Sequence, residues 1–230
     1  MSKGLSKVPR TDRQFTIRPL LNSDIGAVAR IHCDAFPSSA FSCFGEDVLR
    51  EYYSWQMKSL PKLVGYVATE GDRVCGFAYC ADTFLSPVPF LTRSPRVIGA
   101  AFLSRPSILF DRRISKMAAY AARSIVKRIS VRKTPVETSK TPTVASFWVE
   151  ALAVERGAQG HGVGATLMRH CVETGFSQGF GTVYLAVEPM NHRAIALYEK
   201  LGWSRVTSNG RWNGRMKLTR HSGTALETAC

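Results

Sequence analysis

The feature that most constrains the fold of this chain is an apolar run that leads directly into a glycine-rich loop. Residues Phe147–Val154 read FWVEALAV, and this density of β-forming side chains predicts a strand buried within a sheet. A turn at 156–158 follows, the loop reads QGHGVG over 159–164, and helical apolar spacing starts inside the loop at Val163. The sequence therefore predicts a strand joined to a helix by exposed backbone.

The loop is predicted to bind a phosphate or pyrophosphate group. Glycines at 160, 162 and 164 allow the main chain to approach a ligand closely, because no Cβ stands in the way. The first N–H groups of the following helix have no intrahelical acceptor, and the helix dipole adds partial positive charge there. The spacing excludes both the dinucleotide pattern GxGxxG and the P-loop ending GK[ST], and it fits Q/R-x-x-G-x-G/A.

A second motif lies about thirty residues further along, where residues 191–203 read NHRAIALYEKLGW. Together with the QGHGVG loop, in this order and at this distance, it resembles the GNAT N-acetyltransferase family. The resemblance covers residues 15–82 and 143–219. It implies an α/β (α+β) GNAT-type acyl-CoA N-acyltransferase fold, with a central mixed, mostly antiparallel sheet of about six or seven strands and helices on both faces. A single domain over 15–219 is expected.

The resemblance also implies a site for acetyl-CoA as co-substrate, with no metal. In the family the central strand and the next one splay apart, and the pantetheine arm lies between them. The cofactor-binding residues implied are Leu152, Ala153, Val154, Gln159, Gly160, His161, Gly162, Val163, Gly164, Ala165 and Asn191. The Val154 N–H is expected near the thioester carbonyl, and Asn191 either bonds the pantetheine arm or orients its helix. Many relatives carry Arg in place of Gln159, and Arg156 is a candidate replacement for that charge.

Two residues are candidates for the acid–base chemistry of acyl transfer. Tyr198 occupies the position of the family's general acid, and a phenol with an ordinary pKa of about 10 can donate a proton to the leaving sulfur. Glu150 is the one charge in the central strand, where an unpaired carboxylate is costly to bury. It is either the general base or one partner of a structural ion pair with an arginine. His161 and His192 are expected at the surface.

Periodicity predicts the remaining elements. Strands are expected at 15–18, 62–70, 73–81, 181–187, 203–207 and 212–219, and helices at 22–36, 46–57 and 191–201. Asn22 or Ser23 is expected to cap the first helix, and His32 is expected to pack inside it rather than act in catalysis. Phe41, Phe44 and Tyr53 either shape an acceptor pocket or pack in the core, and core packing is the favoured interpretation.

Residues 83–142 form a long insertion before the central strand. Between 91 and 133 it carries eleven basic residues and one acid, which accounts for ten of the net +14 charges of the chain. A helix starting at Ser107 or Asp111 is expected, with the apolar stripe Phe110, Ile114, Met117, Ala121, Ile125 and Ile129. The insertion is either a packed helix with solvated charges or a device for contacting an anionic surface. A membrane surface leads among anionic partners, because aromatic residues for base stacking are sparse and nucleic acid is therefore not favoured.

Composition places the chain in the cytoplasm, with the inner face of the membrane as a further option. No run approaches the ~20 apolar residues of a membrane span, and the N-terminus lacks the apolar core of a signal peptide. The six cysteines contain no CxxC pattern and are expected to be reduced. Residues 1–14 and 220–230 are expected to be flexible tails.

The function predicted from the sequence is transfer of an acetyl group from acetyl-CoA to a primary amine by direct attack. Because the chain is strongly basic, polyamine acceptors are disfavoured, and an anionic or carrier-linked small molecule such as an amino sugar is preferred. A non-catalytic CoA-binding sensor or scaffold with a membrane- or nucleic-acid-binding insertion is one alternative. Acetylation of a protein N-terminus or lysine is another. The oligomeric state stays open, with a homodimer among the options.

Overall fold

The computed structural model of the chain describes residues 14–60, 62–83, 85–131 and 146–220. Nothing is described for the side chains of Tyr120 and of residues 124–131. The predicted linker at 133–142 and the predicted tails, apart from Gln14 and Arg220, lie outside the described residues. The predicted positions of Ile125 and Ile129 in the apolar stripe are likewise untested.

The described residues form one mixed, mostly antiparallel sheet of seven strands, as predicted. The strands are β1 (Thr16–Pro19), β2 (Val64–Glu70), β3 (Arg73–Ala81), β4 (Phe147–Val154), β5 (Thr182–Ala186), β6 (Ser204–Ser208) and β7 (Arg211–Thr219). Their order is β1-β2-β3-β4-β5-β7-β6, and the β4–β5 pair alone is parallel. Each predicted strand is present within two residues of its expected bounds, because period-two alternation and apolar runs are strong local signals.

In the described part of the chain, eight α-helices cover the sheet or belong to the insertion. They are α1 (Ile25–Ala35), α2 (Ala40–Phe44), α3 (Glu46–Ser59), α4 (Val88–Arg93), α5 (Pro95–Ser104), α6 (Arg112–Val131), α7 (Val163–Ser177) and α8 (His192–Lys200). One core packs α1 and α3 on one face of the sheet around Val28, Leu49 and Phe77. A second core packs α7 and α8 on the other face, with Leu167 and Cys171 fully buried. Helices therefore cover both faces of the sheet, as expected.

The start of the first helix differs from the prediction. A 3-10 turn at Asn22–Asp24 precedes α1, and Asp24 rather than Asn22 or Ser23 accepts from a backbone N–H, that of Leu21 at 2.8 Å. Arg18 donates to both carboxylate oxygens of Asp24 at 2.6 and 2.8 Å, and these bonds lower the pKa of Asp24. Asn22 and Ser23 were wrong as caps because the tertiary partner Arg18 holds the Asp24 carboxylate at this turn.

The insertion is a helical layer packed on α2 and α3. Its core contains Phe44, Val48, Phe90, Ala101, Ile108 and Ile114. Asp111 accepts from the N–H of Arg113 at 2.8 Å at the start of α6, so Asp111 rather than Ser107 marks that helix start. Phe110 was wrongly assigned to the packed stripe, because it lies in the preceding 3-10 turn and is 89% exposed. Among the described residues, no helix is both long enough and apolar enough to cross a membrane.

Candidate active site

The two central strands separate in the middle of the sheet. The parallel β4–β5 pairing covers Phe147–Val183, Trp148–Tyr184 and Val149–Leu185, and it ends there. Strand β4 continues to Val154 along β3, while β5 continues along β7. The second half of β4 thus has a sheet partner on one side, and a cleft between β4 and β5 opens on the other. This is the separation that the resemblance implied.

Backbone groups of β4 point into this cleft. The N–H of Glu155 donates to the carbonyl of Cys75 at 2.8 Å, so the neighbouring pair Val154–Gly76 is a non-hydrogen-bonded pair of the β3–β4 ladder. The N–H and C=O of Val154 therefore turn away from β3 and towards β5. The side-chain amide of Gln159 donates to the Val154 carbonyl at 2.9 Å. The Val154 N–H is left as a donor that faces the cleft.

The glycine loop has the open backbone that an anion needs. Gly160 and Gly162 have φ values of +83° and +84°, and a Cβ on either would meet no atom within 4 Å. The N–H of Thr166 makes the first helical bond of α7, to Gly162 O at 3.0 Å. The N–H groups of Val163, Gly164 and Ala165 come before this bond and have no acceptor within the helix. The loop and the helix start together present several donors to one region.

Packing brings the loop, the cleft and α8 together at Gly164. A Cβ built there would lie 3.6 Å from Val154, 3.7 Å from Leu197 and 3.8 Å from Leu152. The C-terminal half of β4 and the helix that carries Tyr198 therefore both reach the start of α7. Asn191 caps that helix, since its side-chain oxygen accepts from the N–H of Ala194 at 3.1 Å. Its geometry matches the orienting role, while binding of a pantetheine arm stays a prediction.

Arg193 places a positive charge at the loop, and the sequence analysis missed it. The guanidinium donates to the Oε1 of Gln159 at 3.0 Å. Gln159 thus joins β4, through Val154, to the first turn of α8. Arg156, the replacement considered from the sequence, is exposed in the turn before the loop. His161 and His192 are both exposed, as expected.

Glu150 lies at an irregularity of β4 and has no arginine partner among the described residues. Tyr79 pairs with Ala151 and Cys80 with Val149, so Glu150 is the extra residue of a β-bulge. Its Oε1 accepts from the N–H of Leu85 at 3.2 Å, at the start of the insertion. Burial raises the pKa of Glu150 to about 7, against a smaller lowering by that hydrogen bond. The structural ion pair considered from the sequence is therefore not formed, because a backbone N–H takes the arginine's place.

Tyr198 is buried at 8% exposure in the core on the opposite face, together with Cys171 of α7. Burial raises the pKa of Tyr198 to about 12, with a further contribution from Cys171. The phenol is therefore protonated at neutral pH. Glu150 faces the α3 side of the sheet, where its charge helps to raise the pKa of Tyr52. The two candidate catalytic residues thus lie on opposite faces of the sheet.

The α3 side of the cleft is formed by aromatic residues and the insertion. Phe41 stacks on Tyr52 with ring centroids 4.3 Å apart. Phe44 and Tyr53 are 4% and 2% exposed, so core packing was the correct interpretation for both. His32 is also buried and shares a 2.7 Å hydrogen bond with the Tyr53 hydroxyl, which agrees with a packed helix residue.

Two contacts hold the edges of this side together. Ser38 donates to Glu188 at 2.7 Å and so joins the α1–α2 connection to the segment after β5. Arg113 of α6 donates to the carbonyl of Pro37 in the same connection. The insertion is therefore attached beside the cleft rather than at a distant edge.

Comparison with known proteins finds a family match for one segment of the chain. Residues 115–203 match the Acetyltransferase (GNAT) family. The mycothiol acetyltransferase of Beutenbergia cavernae is 36% identical over 73 residues, which are 32% of this chain and 25% of that protein. The [ribosomal protein bS18]-alanine N-acetyltransferase of Escherichia coli K12 is 38% identical over 56 residues, which are 24% of this chain and 38% of that protein.

A solved structure shows a similar fold. The crystal structure of the PaiA N-acetyltransferase of Thermoplasma acidophilum, solved in complex with coenzyme A, aligns with a TM-score of 0.52 at 10% identity, covering 90% of this chain and 99% of that one. Residues 115–203, which are less than half of the chain, are similar to the GNAT acetyltransferase family, and the solved structure shows a similar fold for most of the chain. Its matches to the two curated relatives span a quarter and about two fifths of their lengths.

Proposed function

We propose that the protein transfers an acetyl group from acetyl-CoA to a primary amine, by direct attack of the amine on the thioester. The observation that carries the proposal is the end of β4–β5 pairing at Val149, while β4 continues to Val154 beside the start of α7. It leaves an extended ligand a place beside β4, with the donors of α7 at one end. A pantetheine arm and a diphosphate have this shape and charge.

The diphosphate is assigned to the backbone donors of the loop and the helix start. Three N–H groups at the start of α7 and the helix dipole favour an anion there. Arg193 adds a full charge beside them, through its bond to Gln159. The Val154 N–H supports the proposal further, because a donor fixed in the cleft can stabilise negative charge that develops on the thioester oxygen.

The two candidate catalytic residues balance the protons of the reaction. The Glu150 carboxylate accepts the proton that the amine nitrogen loses as the new N–C bond forms, directly or through a water molecule. The Tyr198 phenol donates a proton to sulfur as the C–S bond breaks. The two residues act from opposite faces, because the gap between β4 and β5 beyond Val149 is open to both faces of the sheet. Their pKa values suit these roles. A pKa of about 7 makes Glu150 an effective base near neutral pH, and a pKa of about 12 keeps Tyr198 protonated until it donates.

The acceptor proposed first is a small primary amine that carries a phosphate or carboxylate, or is linked to an anionic carrier. This rests on charge: between residues 85 and 131 the insertion beside the cleft contains one acid, Asp111, and that acid already binds Arg113 at 2.6 Å. A positively charged rim attracts an anionic acceptor and repels a polyamine. The second candidate is a protein N-terminus, because one curated relative is named for acetylation of a ribosomal protein alanine.

The test is a thiol-release assay with acetyl-CoA over a panel of amino sugar phosphates, amino acids, polyamines and peptides with a free N-terminus. Turnover with the anionic amines is expected, and Tyr198→Phe should retain CoA binding while losing turnover. Turnover with peptides alone favours the second candidate. CoA binding without turnover on any member of the panel would support the sensor and remove the proposed activity.

A further inference from the structure

The insertion presents an exposed apolar surface that the acetyl-transfer site does not use. Among the described residues five large apolar side chains are exposed, and three of them lie between positions 103 and 110. Leu103 is 87% exposed, Leu109 60% and Phe110 89%. We name these three residues the exposed tip. The other two, Leu21 and Met190, lie in separate segments.

The local structure holds the exposed tip outwards. Leu103 is near the end of α5, and Leu109 and Phe110 belong to the 3-10 turn Pro106–Phe110. Ile108 in the same turn is 6% exposed and packs in the insertion core. Because Ile108 anchors the turn from inside, the neighbouring Leu109 and Phe110 are directed to solvent. A single exposed apolar side chain needs no explanation, but three such side chains between positions 103 and 110 indicate an interaction site.

The surroundings of the exposed tip are cationic. Arg96 and Leu103, seven residues apart, share the outer face of α5 with Ala100, and all three are exposed. Arg112 and Lys116 are exposed and lie one turn apart at the start of α6. Arg105 is also exposed, between the two groups.

Negative charge is nearly absent from this surface. Asp111 is the single acid between residues 85 and 131. Its carboxylate accepts three hydrogen bonds from the Arg113 side chain, which lower the pKa of Asp111. Between residues 85 and 131 there is therefore no further acid to neutralise the exposed cations around the tip.

We propose that the exposed tip and its cations dock the protein on the surface of an anionic phospholipid bilayer. Apolar side chains enter the boundary between headgroups and acyl chains, while arginine and lysine keep their charges at the phosphate level. A nucleic acid would match the positive charge of this surface, but leucine side chains do not stack on bases. The exposed tip lies within the basic segment 91–133 that the sequence analysis considered for this contact, and its side chains come from the end of α5 and the turn before α6 rather than from the apolar stripe of α6.

The proposal goes beyond acetyl transfer and does not depend on it. It does bear on the acceptor, since Arg113 and Leu85 attach the same insertion beside the cleft. A protein docked through this insertion would hold its cleft near amines carried by the membrane. Membrane binding without acetyl transfer, or the reverse, would separate the two proposals.

Co-sedimentation of the full chain with vesicles of phosphatidylcholine, with and without phosphatidylglycerol, tests the proposal. Binding is expected to the anionic vesicles and to weaken with salt. The double variant Leu103→Ser/Phe110→Ser should weaken binding by roughly tenfold or more. Each replacement removes the free energy gained when an apolar side chain moves from water into the bilayer. Arg112→Gln/Lys116→Gln should weaken binding by roughly 25-fold, at about fivefold for each cation near the surface.

Matched controls separate the surface from general effects. Leu21→Ser removes an apolar side chain that is 54% exposed outside the insertion, and Lys200→Gln/Arg211→Gln removes two exposed cations from α8 and β7. Both controls should bind vesicles like the unaltered protein, and all variants should keep their thermal unfolding midpoints. Equal binding by the tip variants and the parent overturns the proposal. The proposal is also overturned if the tip variants change the mass of the protein measured by sedimentation but bind vesicles unchanged. The exposed tip would then contact a second copy of the chain.

Discussion

Replacing Glu150 with glutamine should remove the base without harming the fold. Glutamine keeps the size and the oxygen that accepts from Leu85, so the local geometry is retained. With a pKa of about 7, the wild-type carboxylate is about 10% ionised at pH 6 and about 90% at pH 8. If it is the base, kcat/KM rises through this window in the wild type. The Glu150→Gln variant loses that rise and falls by roughly 10²–10⁴ at pH 8.

The same raised pKa predicts that the stability of the wild type falls with pH, whereas its activity rises. A carboxyl whose pKa rises from the ordinary 4.5 to about 7 on folding stabilises the native state fully below pH 4.5 and loses that contribution by pH 7. The loss amounts to at most about 3 kcal/mol. Relative to the wild type, Glu150→Gln should therefore gain stability in urea unfolding between pH 5 and pH 8. Glu173→Gln, an exposed control on α7, should change neither activity nor stability.

The outcome that refutes this reasoning is a Glu150→Gln variant with wild-type turnover and an unchanged pH profile. A variant that is inactive and also less stable at pH 8 would instead assign Glu150 a structural role.

Three further substitutions test the site. Tyr198→Phe should lower turnover by roughly 10²–10⁴ while calorimetry gives an unchanged CoA affinity, and equal turnover would contradict its role as acid. Gly162→Ala should destabilise the chain by roughly 1–2 kcal/mol and weaken CoA binding, because its φ is +84°, whereas Gly99→Ala in α5 should be neutral or stabilising in the same denaturation assay. Arg193→Gln should weaken CoA binding and reduce its salt dependence in titrations at several ionic strengths, and an unchanged salt dependence would exclude Arg193 from the anion site.

The sheet could be predicted because its signals are local. The central strand Phe147–Val154 and its partner Arg73–Ala81 have the predicted bounds, since an apolar run and a Gly-Asp turn determine them over a few residues. The start of α7 at Val163 was equally legible from the glycines before it. These elements position the glycine loop, so the order of strand, loop and helix was correct from the sequence.

The missed helices have a different cause. Pro87, Pro89 and Pro95 interrupt the apolar pattern of the insertion, and no helix was predicted there before Ser107. In the structure Pro87 is the N-cap of α4, and Pro89 and Pro95 lie in the first turns of α4 and α5, where the missing N–H costs nothing. Short helices that start at a proline are poorly visible to periodicity.

The contacts that define the site depend on tertiary structure. Leu85 meets Glu150 across 65 positions of sequence, and Arg193 meets Gln159 across 34. Neither contact leaves a periodic signal. The β-bulge that sets Glu150 apart is also invisible, because one extra residue in an apolar run does not change its composition. The Asn-His-Arg motif at 191–193 did offer one signal, a cation in the first turn of a helix that faces the loop.

Hydrogen exchange of individual backbone amides, followed by NMR as coenzyme A is added, tests the central claim most directly. The account predicts that the amides of residues 160–165 and of Val154 gain protection together on binding. It predicts little change for the amides of Gly179 and Gly181, two exposed glycines between the end of α7 and β5, at the opposite end of that helix from the loop. Binding that leaves residues 160–165 and Val154 unprotected would contradict the account, because coenzyme A would then lie elsewhere on the protein.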